Sequence, residues 1–258
     1  MLLTIDVGNT TIALGILDGD EVIGRYRLVT KSERTSDEFG FFIMNFIQQC
    51  NLKKEDIEDV VISSVVPKVM YALNSSIIKY FDKTPISIDA FSDTGIDVIA
   101  YDKSEVGADR IVNCAYGYHT YHNSAIIVDF GTATTFDYVS DEGEFKYVII
   151  MPGIQISLNA LSDNAAKLPE IEIKKPDSIL GVSTVSGMQA GLVYGYIGSV
   201  EKIVKEMKKE LNDENCKVIA TGGLGKIIAN ETDVIDLYDP DVAYKGMKII
   251  YDRIKGKK

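Results

Sequence analysis

Apolar and polar positions along this 258-residue chain fall into short stretches of two periods. Leu2 to Val7 is an apolar run carrying Asp6, and after Gly8-Asn9-Thr10 a second apolar run starts at Thr11; the pattern predicts two strands joined by a hairpin. Glu21 to Thr30 reads as a third strand. From Thr35 to Cys50 the period changes: Phe39, Phe42, Ile43, Phe46, Ile47 and Cys50 recur at i, i+3, i+4, i+7, i+8 and i+11, the stripe of an amphipathic helix. Asp59 to Val66 is a β-branched strand ended by Pro67, and Val69 to Phe81 is a second helix. A further helix, with Ile111, Cys114, Ala115 and Tyr118 on its apolar face, opens at Gly107-Ala108-Asp109-Arg110.

The order then returns. Ala125 to Val128 leads into Asp129-Phe130-Gly131-Thr132-Ala133 and a second apolar run, an echo of Asp6-Val7-Gly8-Asn9-Thr10 about half a chain length later. Gly143 to Met151 is again a third strand. A long helix spans Thr184 to Leu211, a strand Cys216 to Ala220, a short helix Leu224 to Ala229 and a last helix Val242 to Ile254. Self-similarity at this distance predicts a duplicated domain rather than a short-period solenoid. The expected fold is α/β, two β-β-β-α-β-α lobes over residues 1–115 and 116–258 with a shared cleft. Gly187, Gly191, Gly195 and Gly198 stripe the long helix, and each costs up to ~1 kcal/mol in a helix interior. Such a stripe serves either close packing on another backbone or a subunit interface.

Charge narrows the choice of partner. A net charge of −11 argues against a nucleic-acid partner, and the basic run Lys255-Gly256-Lys257-Lys258 reads as a solvated terminus. No apolar run approaches the ~18 residues of a membrane span and no basic leader precedes the first strand, so a soluble, cytoplasmic protein is expected. Cys50, Cys114 and Cys216 are scattered and odd in number, which suits reduced thiols better than disulfides or zinc. His119 and His122, expected at i and i+3 on one helix, lack an acidic or thiol partner at matching spacing. No G-x-x-x-x-G-K-[ST] element is present, which argues against a P-loop kinase.

The two Asp-x-Gly hairpins carry the candidate chemistry. Gly8 and Gly131 let the backbone approach phosphate oxygens, and Asn9, Thr10, Thr11, Thr132, Thr134 and Thr135 add donors. Asp6 and Asp129 would face each other across the cleft and balance a polyphosphate through Mg²⁺ or a monovalent cation. Thr221-Gly222-Gly223 ends a strand and precedes a helix, where missing side chains leave room for adenine and ribose. Asp109, in the first turn of its helix, is the candidate base; the helix N-terminus is expected to favour its ionised form and lower its basicity. Arg110 offers a planar fork for a substrate carboxylate.

This order of motifs resembles the actin, hexokinase and acetate kinase superfamily, whose fold is also described as ribonuclease H-like. Within it the chain is similar to type III pantothenate kinases. The resemblance rests on Asp6 to Thr10, Gly107 to Arg110, Asp129 to Asp137, Pro152-Gly153-Ile154, Ala166-Lys167-Leu168-Pro169 and Thr221-Gly222-Gly223. It implies ATP-dependent phosphorylation of pantothenate, the entry step to coenzyme A, with Mg²⁺ and K⁺ or NH₄⁺, in a homodimer. Carried over residue by residue, it implies that Asp6, Val7, Gly8, Asn9, Thr10, Thr11, Ile12 and Ala13, with Thr132, Gly222 and Gly223, bind ATP. It places Tyr101, Gly107, Ala108, Asp109, Arg110 and Thr184 at the substrate, Asp109 as base, and Asp129 with Asp6 at the cations. The chain lacks the Asn-Pro pair that usually follows the substrate-site tyrosine, and Tyr147-Val148 stand where relatives often have Gly-Gly. The competing readings are another small-molecule kinase of the superfamily and a nucleotide-binding partner protein without catalysis.

Overall fold

The computed structural model describes residues 1–99 and 102–257. Their contacts form two compact units, one of Met1–Thr120, Gly143–Phe145 and Asp241–Lys258, the other of Tyr121–Glu142 and Lys146–Pro240.

In the first unit, β1 (Leu2–Val7), β2 (Thr11–Asp18) and β3 (Glu21–Val29) form an antiparallel meander. Helix α1 (Ser36–Gln49) follows, then β4 (Asp59–Ser64), helix α2 (Pro67–Phe81) and β5 (Ile86–Ile88), giving the sheet order β3-β2-β1-β4-β5. Thr35 starts α1 by capping the Glu38 N–H while the Glu38 carboxylate accepts the Thr35 N–H, a reciprocal arrangement that satisfies two otherwise orphaned donors. Pro67, expected to end β4, opens α2 two residues earlier than the apolar pattern suggested, because proline needs no hydrogen bond in a first turn. Successive side chains of a strand point to opposite faces, and this sorts the core. Leu3, Ile5, Val7, Ile12, Leu14, Ile16, Val60 and Ile62 pack under α1 and α2 with Phe39, Ile43, Leu73 and Ile77. Leu2, Leu17 and Val61 pack on the other face with Val112 and Ala115 of α3 (Ala108–Tyr121) and Tyr244, Met247, Ile250 and Tyr251 of α7 (Val242–Lys255). The two-residue strand β6 (Asp97–Val98) pairs with Glu144 and Phe145.

The second unit repeats the plan. Strands β7 (Ala125–Phe130), β8 (Ala133–Val139) and β9 (Glu144–Pro152) are followed by helices α4 (Ile154–Asn164) and α5 (Thr184–Leu211), strand β10 (Lys217–Thr221), helix α6 (Gly225–Ala229) and strand β11 (Leu237–Tyr238). Its strands run β11-β10-β7-β8-β9, the order of the first sheet read from its fifth strand to its third. The duplication extends to burial: β1 and β7 are buried throughout except at Asp6 and Asp129, each half-buried one residue before the strand end. Helix α4 had no sequence forecast; only Ile154 and Leu158 of its eleven residues are buried, too few to print an apolar stripe. His119 and His122 do not share a helix, since α3 ends at Tyr121 and His122 is left-handed at φ 49°.

Candidate functional site

In the first unit the Asp6 hairpin and the Asp109 helix, a hundred positions apart in sequence, meet at the carboxyl ends of β1 and β4. The Val65 N–H just past β4 donates to the Val7 carbonyl (3.0 Å), and a Cβ on Gly107 would lie 3.1 Å from Val65 Cγ1. That hypothetical Cβ would also stand 2.5 Å from Asp109 Oδ1. Any side chain at position 107 would therefore displace the carboxylate, which is why glycine precedes it. Strand carboxyl ends are where open α/β sheets place their ligands.

Asp109 is half-buried and its Oδ1 accepts the Arg110 N–H at 2.8 Å. Burial pushes its carboxyl above the ordinary carboxylate range, although that N–H and the Arg110 guanidinium pull the other way. The expected lowering by the helix N-terminus is overturned: desolvation outweighs it, and the group is the more basic for it. Arg110 lies 5.2 Å over the Phe145 ring, a planar cation on an aromatic face. Phe145 had no part in the sequence reading, because nothing local links it to Arg110.

The hairpin itself is closed by its glycine. Gly8 N–H donates to Thr11 O (3.0 Å), and in the second unit Gly131 N–H donates to Ala133 O (3.1 Å). Both glycine donors are therefore spent inside their own turns, and the exposed tips for a phosphate are Asn9, Thr10 and Thr132. Val7 and Ile12 are core residues, 0% and 1% exposed, and can reach a ligand through main-chain atoms alone. Asp6 stands between Ala13 and Ser63 in the sheet register. The Ser63 hydroxyl is buried without a hydrogen-bond partner among the described residues, so this strand end presents oxygen ligands fit for a hydrated cation.

Three motifs converge on the second hairpin. Asp129 lies between Thr135 and Thr221. Gly153 packs onto the turn so closely that a Cβ would sit 2.3 Å from Thr132 O and 2.5 Å from Gly131 O. The Tyr196 hydroxyl ties both pieces together, donating within reach of Thr134 Oγ1 (2.7 Å) and Pro152 O (2.6 Å). On the other side Gly222, at φ +93°, lies against the Phe130 backbone, where a Cβ would come within 2.6 Å of its carbonyl oxygen. Gly222 thus combines a left-handed conformation with a close approach, and only glycine meets both demands. Tyr196 escaped sequence reasoning because it reads as an ordinary buried helix residue.

The remaining predicted residues are placed as follows. Ala108 is buried, Gly223 exposed, and Thr184 exposed in the first turn of α5 behind its Ser183 cap. Tyr101 lies outside the described residues. Cys114 and Cys216 are buried and Cys50 half-buried, none of them in a disulfide among the described residues, and burial pushes the Cys216 thiol up to about 12, too high for a thiolate nucleophile. The His119 ring nitrogen Nε2 is 3.0 Å from Thr94 O, and the described residues contain no cluster of three metal-ligating side chains. No described helix is long and apolar enough to cross a membrane.

Similarity to known proteins agrees with this layout. The fold matches that of MreB 5 of Spiroplasma citri, solved with AMPPNP, at a TM-score of 0.57 and 11% identity, over 99% of this chain and 97% of that one. It also matches the ethanolamine utilization protein EutJ of Carboxydothermus hydrogenoformans at 0.55 and 13%, over 96% and 89%. These likenesses show an actin-like fold. In sequence, the chain is 47% identical over 251 residues to a type III pantothenate kinase of Agathobacter rectalis, 97% of this chain and 96% of that one. It is 46% identical over 253 residues to one of Bifidobacterium longum, 98% and 99%. The sequence profile of the type III pantothenate kinases matches residues 2–206. With the motifs of that profile gathered at two matching strand ends, the chain belongs to the type III pantothenate kinase family.

Proposed function

We propose that this chain performs its family's reaction with Asp109 as the base. It is a pantothenate kinase, phosphorylating pantothenate to 4′-phosphopantothenate in the first step of coenzyme A biosynthesis. The supporting observation is the junction in the first unit, where Gly107 packs on Val65, whose N–H is bonded to the carbonyl of Val7 next to Asp6. Asp109, made more basic by burial, accepts the proton of the substrate's terminal hydroxyl as that oxygen attacks the γ-phosphorus of ATP. Phosphoryl transfer is loose, so positioning carries much of the acceleration and a carboxylate is a sufficient base. Arg110, its guanidinium over the Phe145 ring, pairs with the pantothenate carboxylate. Thr184 and Tyr101 complete the substrate's surroundings.

The Asp6 hairpin, Thr132 and the Gly222-Gly223 turn hold the nucleotide. Asp6 and Asp129 offer carboxylates to Mg²⁺ and to K⁺ or NH₄⁺; a bound divalent cation would neutralise charge on the polyphosphate. A cytoplasmic location fits three cysteines that form no disulfide among the described residues.

The protein acts as a homodimer in this reading, supported by α5. Gly187, Gly191, Gly195 and Gly198 are exposed, and a Cβ at any of them would meet nothing within 4 Å. Gly187 also serves close packing on the chain's own backbone, since a Cβ on Gly181 would come within 2.4 Å of its Cα, whereas Gly191, Gly195 and Gly198 leave an open face for a second copy. Tyr147, Val148, Ile149 and Ile150 of β9 are also exposed, four consecutive apolar residues that a second copy could cover.

The direct test follows product by ³¹P spectroscopy from ATP, Mg²⁺ and pantothenate, with and without K⁺. Formation of a phosphomonoester that needs pantothenate and rises with K⁺ is expected; turnover with a sugar in place of pantothenate would overturn the assignment.

A further inference from the structure

The sheet face that carries Asp6 carries a second charged group of opposite sign. Side chains at directly opposed positions of neighbouring strands share a face. Asp6 is opposed by Ala13, and Ala13 by Arg27, so one row of the sheet reads Arg27, Ala13, Asp6, Ser63. Two strand spacings put the Asp6 and Arg27 backbones about 10 Å apart, with only the Ala13 methyl between them. An arginine stem is long enough to bring its guanidinium across that gap.

The other arginine of β3 on this face has a different task. Arg25 opposes Gly15 in the adjacent row, and its guanidinium binds both Asp241 carboxylate oxygens at 2.6 and 2.5 Å, tying β3 to the start of α7. Arg27 is exposed. Tyr244, from the first turn of α7, fills the space above Gly15, where a Cβ would come within 2.7 Å of its ring and 2.8 Å of Thr4 Oγ1. Its phenol is raised above its ordinary value chiefly by burial; Arg27 pulls it down and Asp6 pushes it up. The strand register sets Arg27 on the Asp6 face, and both charged side chains of the row act on this one buried ring.

The hairpin needs such a charge. Its Gly8 N–H is consumed by Thr11 O, and the Thr30 hydroxyl donates to Gly8 O at 2.7 Å, so the turn is stiff but short of positive field. The chain as a whole carries −11. We infer that Arg27 is a further nucleotide-binding residue, its guanidinium contacting the polyphosphate oxygens held at the Asp6 hairpin. This deepens the reading of that hairpin as the nucleotide site and rests on it. A planar fork suits two phosphate oxygens at once, which an ammonium does not reproduce.

The experiment is calorimetric titration of the full-length protein, wild type, Arg27→Gln and Arg27→Lys, with Mg-ATP, Mg-ADP and adenosine, alongside the KM for each substrate. Arg27→Gln should weaken ATP and ADP about tenfold or more, the loss of one charge-assisted contact. Adenosine binding and the KM for pantothenate should stay unchanged, and Arg27→Lys should recover part of the loss. Thermal melts of the three proteins establish that they are equally folded. Wild-type binding of ATP with unaltered affinity in Arg27→Gln sinks the role of Arg27 and leaves the hairpin reading standing. No ATP binding by the wild type sinks both. Equal weakening of ATP and adenosine would make Arg27 a structural residue and overturn the phosphate contact.

Discussion

At Asp109 two effects of position oppose each other, and burial prevails. The carboxyl's raised pKa has consequences for rate and stability. A base must be ionised, so kcat/KM for pantothenate should fall toward acid pH along a limb lying above the ordinary carboxylate value of about 4. For stability the sign is that of a group whose folded-state pKa exceeds its unfolded one. The folded state is favoured while the carboxyl is protonated, and that advantage is lost as pH climbs from the unfolded value through the raised one. Asp109→Asn should therefore cut turnover by about 10²–10⁴-fold, retain ATP binding, and melt higher than wild type near neutral pH but not in acid. A melt unchanged across the pH range would contradict the raised value. Gly153 makes a separate point. Gly153→Ala forces a methyl into the Thr132 and Gly131 carbonyl oxygens, with an expected cost of about 1–3 kcal/mol in denaturant titration and a raised KM for ATP. The sequence marks Pro152-Gly153 as a motif; the reason for glycine is a contact twenty residues away, which no local pattern records.

Among the elements, the strands and amphipathic helices were legible because each buries one regular set of positions. Helix α1 follows its apolar stripe to within a residue at each end, and α5 spans Thr184–Leu211 as the pattern indicated. Helix α4 was invisible for the converse reason: it is mostly exposed. The glycine stripe of α5 yields a prediction that separates an interface from a solvated face. Replacing Gly191 and Gly195 together by Ala should gain up to ~1 kcal/mol of helix propensity per site if the face is solvated. If a second α5 packs there, the same methyls hold the helices apart, and sedimentation should show a shift from dimer toward monomer. The latter is expected.

Taken together, the chain folds with its ends interleaved. Helix α7, the last in sequence, completes the first unit by covering the Leu2, Leu17 and Val61 face with Tyr244, Met247, Ile250 and Tyr251. Full burial of such side chains is worth about 1.5–3 kcal/mol each, so four of them rival a typical domain stability of about 5–15 kcal/mol. Truncation after Asp239 should leave no cooperatively folded protein, whereas Lys257→Ala, which removes the exposed pair with Glu58 and a contact with the Tyr251 hydroxyl and ring, should change the melt little. A folded, cooperatively melting truncation product would show that the sheet does not depend on this helix. The succession of elements within each half, the doubled Asp-x-Gly turns and the candidate base could all be read from residues alone, because period-two and period-3.6 burial and glycine-dependent turns are local constraints. The approach of Gly107 to Val65, the stacking of Arg110 on Phe145, the raised pKa of Asp109 and the row that joins Arg27 to Asp6 could not. Each depends on which atoms distant segments bring within a few ångströms, and contact and desolvation exist only once those segments have packed.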